Sequence, residues 1–310
     1  MNTQEILNAD KTKTWKIQQL ILLGLTRTEI ANLVTNGNYG FVQNVYAKMK
    51  AQGLLSVSIQ LAFEPTAFDR KFGIEIEGYG VASGLLARKL REAGIECYTE
   101  SYNHNTAGHW KIVHDGSLSG ANTFEIVSPI LEGQHGIEQV GKVCEVLEGC
   151  NVKINKSCGL HVHFDATNIT VEHTKNILKN YGAYEEQIDS FLPISRRANN
   201  NTYCKSVKRL LPHIEEATTI QRIAQIMGSR YFKINLQSYT RHNTIEFRQH
   251  SGTVEFEKIS NWIIFLHNLV SYSTSNLPLQ TEEITIESLK KFNQASVFNY
   301  IIRRQNQLNS

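Results

Sequence analysis

Glu75, Glu77, His161, His163, Glu246 and Arg248 recur at every second position of three short segments. These are Phe72-Gly73-Ile74-Glu75-Ile76-Glu77, Leu160-His161-Val162-His163-Phe164-Asp165 and Thr244-Ile245-Glu246-Phe247-Arg248. Side chains on a β-strand point alternately to opposite faces. Ile74, Ile76, Leu160, Val162, Phe164, Ile245 and Phe247 therefore share one face, and the charged and imidazole side chains share the other. Three carboxylates, two imidazoles and a guanidinium gather there. Unpaired carboxylates are costly to crowd together away from water, and a divalent cation removes that cost. The pattern points to a metal and phosphate site.

Glu75 and Glu77 lie two residues of rise apart, roughly 7 Å. Glutamate is depleted in strands, and a merely solvated face would mix in Thr, Lys or Ser. His161 and His163 follow Gly159, which permits close approach of other groups; they read as metal ligands or phosphate contacts, with buried structural histidines as the plainer alternative. Asp165 continues the same face but sits where it could equally cap the next turn. Glu125, flanked by Phe124 and Ile126, is a further ligand candidate. Lys111 shares a face with Val113 and Asp115 and could meet a phosphate or pair with an acid. Oxygen donors with at most one imidazole suit Mg²⁺ or Mn²⁺ better than zinc. Arg248 and the Arg196-Arg197 pair supply forked donors for phosphoryl oxygens. Carboxylates, magnesium and arginines are the equipment of phosphoryl transfer. Neither GxxxxGK[ST] nor a GxGxxG after a strand occurs, so the P-loop and dinucleotide-binding readings fall away.

These residues must be held by a sheet with helices packed on its apolar side. From Lys71 onward, helical periodicity predicts helices over about 83–93, 134–148, 170–191, 214–227 and 256–272, with two more near the C-terminus. Strands are predicted over Ile95–Glu100, Trp110–His114 and Thr123–Val127, the last two joined at Asp115-Gly116-Ser117. An Asn-rich polar loop covers about 195–205. Strands and helices so mingled predict an α+β domain. The first 63 residues predict a helical unit. One helix carries Trp15, Ile17, Leu20, Ile21 and Leu23 and closes at Gly24; a capping box at Thr26-Arg27-Thr28-Glu29 opens a second; a third carries Phe41, Val42, Val45, Tyr46 and Met49. A strand over Leu55–Leu61 follows, so the unit resembles a winged helix-turn-helix. Residues 64–70 read as a linker, and 71–310 as the catalytic domain.

The net charge is +3 and is spread along the chain, which argues against a strongly electrostatic nucleic-acid binder. Residues 1–70 hold seven Lys/Arg against five Asp/Glu, weak for DNA contact although such contact by this unit is one expectation; protein docking is the other. No apolar run matches a membrane span, and the polar start does not read as a signal peptide, so a cytosolic protein is expected. Five cysteines form no CxxC pair, which fits free thiols in a reducing compartment. Cys158, just before the histidine strand, is either a nucleophile or a small packing residue.

Taken in order, FGIEIEG, WKIVHDGSL, FEIVSPIL, CGLHVHFD, SRRANNNTYC, RYFKINL and TIEFRQHSGT resemble the amidoligase family, within the carboxylate–amine ligases of glutamine synthetase-like catalytic fold. The resemblance spans about residues 71–272. It implies an ATP-dependent ligase that joins a carboxylate to an amine through an acyl-phosphate, with Mg²⁺ or Mn²⁺ as cofactor. The substrates would be drawn from amino acids, peptides or protein termini. It implies metal ligation by Glu75, Glu77, Glu125, His161 and Glu246, and phosphate binding by Arg248. Lys111, His163 and Asn235 become nucleotide or substrate contacts, Arg197 a second charge-neutralising group, and Asp115 an acceptor of the amine proton. Two competing readings are a guanidino- or amine-directed phosphotransferase on a related fold and a non-catalytic DNA-binding or regulatory protein.

Overall fold

A computed structural model describes residues 3–23, 25, 27–52, 68–103, 105–275 and 284–309. The chain divides into two compact units, Met1–Leu61 and Ala62–Ser310.

The first unit contains helices α1 (Thr3–Asn8), α2 (Lys13–Leu22), α3 (Arg27–Val34) and α4 (Tyr39–Ala51). Thr12 caps α2 by accepting the Trp15 N–H, and Asn38 caps α4 by accepting the Phe41 N–H, each satisfying an otherwise orphaned donor of the first turn. Ile6, Ile17, Leu20, Ile30, Val42, Val45 and Met49 form its core. Phe41, expected on the apolar stripe of the third helix, is instead exposed, and α1 adds a helix that the sequence reading did not anticipate. Gly24, Thr26, the strand expected over 55–61 and the Glu64–Ala67 part of the linker lie outside the described residues.

The second unit is α+β. Its strands are β1 (Phe72–Gly78), β2 (Cys97–Thr99), β3 (Trp110–Val113), β4 (Phe124–Val127), β5 (Gly159–Asp165), β6 (Ile234–Asn235) and β7 (Thr244–Ser251). They form one open sheet in the order β2-β3-β4-β1-β5-β7-β6. Every pairing is antiparallel except β2 with β3. Its helices are α5 (Ser83–Glu92), α6 (Gly133–Gly149), α7 (Val171–Ser190), α8 (Leu211–Ile214), α9 (Ile220–Met227), α10 (Gln237–His242), α11 (Phe256–Ser275) and α12 (Ala295–Asn309). The apolar sheet face, including Ile74, Ile76, Val162, Phe164 and Phe247, is buried. Tyr181 of α7 meets Phe247, and His267 of α11 meets Phe164, so the helix layer covers that face and leaves the charged face open.

β5 and β7 do not pair evenly. Leu160 stands opposite His250 and Val162 opposite Phe247, so two residues of β7, Arg248 and Gln249, oppose His161 alone. This is a β-bulge, a device that re-aims side chains. Gln249 reaches α7: its side chain accepts from Tyr181 Oη at 2.6 Å and donates to Asp189 Oδ1 at 2.5 Å. The predicted helix over 214–227 is broken, because Thr219 adopts an extended conformation and caps α9 by accepting the Arg222 N–H. Among the described residues, no helix is long and apolar enough to cross a membrane.

Candidate active site

The open face of the sheet floors a cleft of about 1600 Å³. Strand register assembles the floor. Glu77 pairs with Glu125 on one side of β1, Glu75 with His161 on the other, and His163 with Glu246 beyond that. Directly opposed residues have Cβ atoms only about 5 Å apart, so the alternation of three segments becomes one contiguous charged surface.

His161 is its hub. Its Nδ1 lies 2.9 Å from Glu75 Oε2 and 3.7 Å from Glu246 Oε1, and its Nε2 lies 3.8 Å from Glu77 Oε1. His163 Nδ1 meets Thr244 Oγ1 at 3.0 Å, while the buried Nε2 makes no hydrogen bond and stands 3.3 Å from Glu75 Oε1. The Gly159 N–H donates to Glu77 Oε2 at 2.5 Å. A Cβ at Gly159 would come within 3.0 Å of His161 Nε2 and 3.3 Å of Glu77 Oε2, which is the physical reason for glycine there. Asn235 donates to Glu246 Oε2 at 2.5 Å, and the Arg248 guanidinium pairs with Glu246 Oε1.

Three trios on this face each bring one ligand atom per residue within 4.8 Å of the others: Glu75, His163 and Glu246; Glu75, Glu125 and His161; Glu77, Asp115 and Glu125. They overlap through Glu75 and Glu125. Burial drives the Glu125 carboxyl well above its ordinary range, reinforced by the charges of Glu75, Glu77 and Asp115. Burial also opposes ionisation of Glu75, but its hydrogen bond to His161 and the His163 imidazole beside it prevail and hold it well below. Glu246 is likewise lowered, with burial outweighed by Arg248 and His163. Burial works against the charge on His163, yet Glu246 and Glu75 raise it. A carboxyl pushed toward neutrality beside ionised neighbours is a site short of positive charge. The oxygen-rich donor set, with an imidazole nitrogen lacking a hydrogen-bond partner, fits a hard divalent cation.

The structure brings together Glu75, Glu77, Glu125, His161, His163, Asn235, Glu246, Arg248, Lys111 and Asp115 in this cleft. The surroundings of two of them bear on their roles. Lys111 is buried and engaged: its Nζ donates to Asn103 Oδ1 at 2.8 Å and to Asn105 O at 2.6 Å. His163, read from the strand pattern as a metal ligand or phosphate contact and from the resemblance as a nucleotide or substrate contact, belongs to the first trio. Arg197 is not brought in. Its Nε donates to Leu192 O and its Nη1 to Asn309 Oδ1 of α12, because the turn at Ile194–Arg196 points adjacent residues in different directions. Arg196 lines the cleft instead, buried and donating to Cys158 O at 2.5 Å. Sequence named the pair; only the turn decides which member faces in. Cys158 is fully buried, and burial pushes its thiol up, so it is a packing residue.

The Gly159 N–H and Arg196 are contributors that alternation alone could not single out. A family model described as "Putative amidoligase enzyme" matches residues 69–270, close to two thirds of the chain. A search of curated proteins finds no match. The matched stretch contains every strand of the sheet and the whole charged face, and on that match the chain belongs to the amidoligase family, enzymes of ligase type.

Proposed function

We propose that this protein is an ATP-dependent carbon–nitrogen ligase that activates a carboxylate as an acyl-phosphate and passes it to an amine. The observation that carries this reading is the row of three overlapping carboxylate and imidazole trios ending at Arg248 on one sheet face. The mainly antiparallel sheet, charged on one face and helix-packed on the other, also supports a glutamine synthetase-like architecture for the second unit.

Glu75, Glu77, Glu125, His161 and Glu246, joined by His163, would hold Mg²⁺ or Mn²⁺. Bound there, the cations would neutralise the phosphates of ATP and the crowded carboxylates. Arg248 would place its guanidinium on the γ-phosphoryl oxygens as the substrate carboxylate displaces ADP, balancing charge on the transferred group. Asp115, at the far end of the row, would take the proton of the amine as it attacks the acyl-phosphate and phosphate leaves.

The test is Mg²⁺-dependent phosphate release from ATP over libraries of carboxylates and amines, with mass spectrometry of the products. The expected result is release that requires both an acid and an amine and yields an adduct lighter than their sum by one water. Transfer of phosphate to an amine without such an adduct would replace this reading by the phosphotransferase one.

A further inference from the structure

At the β6 end of the same cleft stands a cluster of exposed rings. Tyr203, from the loop after α7, and Tyr231, from the segment before β6, meet edge to face with centroids 5.2 Å apart. The Arg230 guanidinium lies 5.3 Å over the Tyr231 ring and close to Tyr102. Tyr102 comes from the β2–β3 loop, which starts at the opposite edge of the sheet. All four residues line the cleft, and the tyrosines are 56% (Tyr102), 52% (Tyr203) and 37% (Tyr231) exposed.

Hydrogen bonds hold the backbone on which these rings are carried. Tyr203 N–H donates to Asn201 Oδ1 at 2.8 Å, Tyr231 N–H to Ser229 Oγ at 3.1 Å, and Lys205 N–H to Tyr231 O at 2.9 Å. Lys111 anchors the loop of Tyr102 through Asn103 and Asn105. Aromatic faces pre-placed inside a polar cleft offer stacking to a flat ligand at little ordering cost. Arg230 and Arg248 both line the cleft, and two guanidinium groups there favour an anionic ligand.

We propose that Tyr102, Tyr203, Arg230 and Tyr231 form a subsite for a flat unsaturated ring tethered to an anionic group, with the ring against the tyrosines and the anion toward Arg230 and Arg248. The inference rests on the ligase reading only for the source of that ligand. The ring is either the base of the nucleotide or an aromatic side chain on the carboxylate substrate.

Binding to the full chain with Mg²⁺, followed by calorimetry and ligand-observed NMR, separates these sources. The probes are ATP, adenosine, inorganic tripolyphosphate, phenylalanine and leucine. Tyr203→Leu, Tyr231→Ala and Tyr231→Phe are the variants, the first chosen to keep bulk without a ring. Loss of one stacking ring should weaken the ring ligand at least about fivefold, Tyr231→Phe should restore it, and tripolyphosphate should bind all variants equally. Losses confined to ATP and adenosine assign the base; losses confined to phenylalanine, bound in preference to leucine, assign the acid. Equal losses for tripolyphosphate, no loss for any ring, or a parent that binds neither adenosine nor phenylalanine overturns the proposal. If the parent binds a ring ligand that the variants lose but ignores tripolyphosphate, the subsite stands and the phosphate reading fails.

Discussion

Asn235 donates its side-chain amide to Glu246 Oε2 at 2.5 Å across the β6–β7 pair, leaving Glu246 Oε1 to face His161, His163 and Arg248. One carboxylate oxygen is held and the other presented. Groups that orient a ligand in this way typically change metal affinity by 10- to 100-fold when removed. Asn235→Ala should therefore weaken Mn²⁺ binding by about that factor, measured by calorimetry, with the fold retained. Glu246→Gln should abolish Mg²⁺-dependent ATP turnover. Unchanged turnover in a folded Glu246→Gln protein contradicts its place in the site.

Glu125→Gln should act with opposite signs on stability and on binding. Without metal it relieves repulsion from Glu75, Glu77 and Asp115, so the melting temperature in EDTA should rise. With Mg²⁺, the parent should gain about 2.7 kcal/mol at a hundredfold excess over Kd, and the variant should gain less. Differential scanning calorimetry with and without Mg²⁺ reads both, and a variant that melts lower in EDTA refutes the repulsion argument.

Stability should also vary with pH in two directions. His250 is pushed down to about 3 by burial, so its contribution is complete above pH 6.5 and is lost as pH falls toward 3. Glu75 and Glu246, both lowered, contribute above about pH 4.5 and lose that in acid. Glu125 and His163 are raised. Their contributions are complete below the unfolded values, 4.5 and 6.5, and fade as pH rises through the folded ones. Metal-free protein should accordingly lose stability on the alkaline side of neutrality, and saturating Mg²⁺ should cancel that loss. A melting curve in EDTA that climbs steadily to pH 9 would count against the assignment.

Arginines in and out of the cleft should separate cleanly. Arg248→Lys should lower turnover by at least about tenfold, because a point charge cannot replace the fork. Arg197→Ala should leave it unchanged, since that side chain binds Leu192 O and Asn309. Steady-state phosphate release compares them, and equal losses would mean that Arg197 acts on the reaction.

Behind the sheet, Asp189→Ala should be costly. Lys233 is fully buried and pairs with Asp189 Oδ1 at 2.7 Å and with Glu185 Oε2 at 3.4 Å. Breaking a buried ion pair by removing one partner costs about 3–5 kcal/mol. Urea unfolding measures it, and a loss under about 1 kcal/mol would show that Lys233 is otherwise satisfied.

Much of the floor was readable because strand alternation is a property of backbone geometry alone. Glu75, Glu77, His161, His163, Glu246 and Arg248 needed only a period of two. What escaped was tertiary. β6 is two residues long and too short to show a period. Arg196 and Arg197 have the same chemistry, and only the turn between α7 and the following loop distinguishes them. Lys111 reads as a phosphate contact or the partner of an acid until Asn103 and Asn105 are seen to occupy it. The break before α9 is a local contest that the Thr219 cap wins over helical periodicity.

Because Arg248 and Gln249 together face the single residue His161, β7 past that point runs out of step with its own beginning. The length of the stretch from Ile245 to Ser251 is thereby constrained as tightly as its composition. Dropping one residue would restore even pairing and send either the guanidinium or the amide to the wrong layer. In an evolutionary or engineering setting, this strand should accept exchanges of side chains far more readily than any indel.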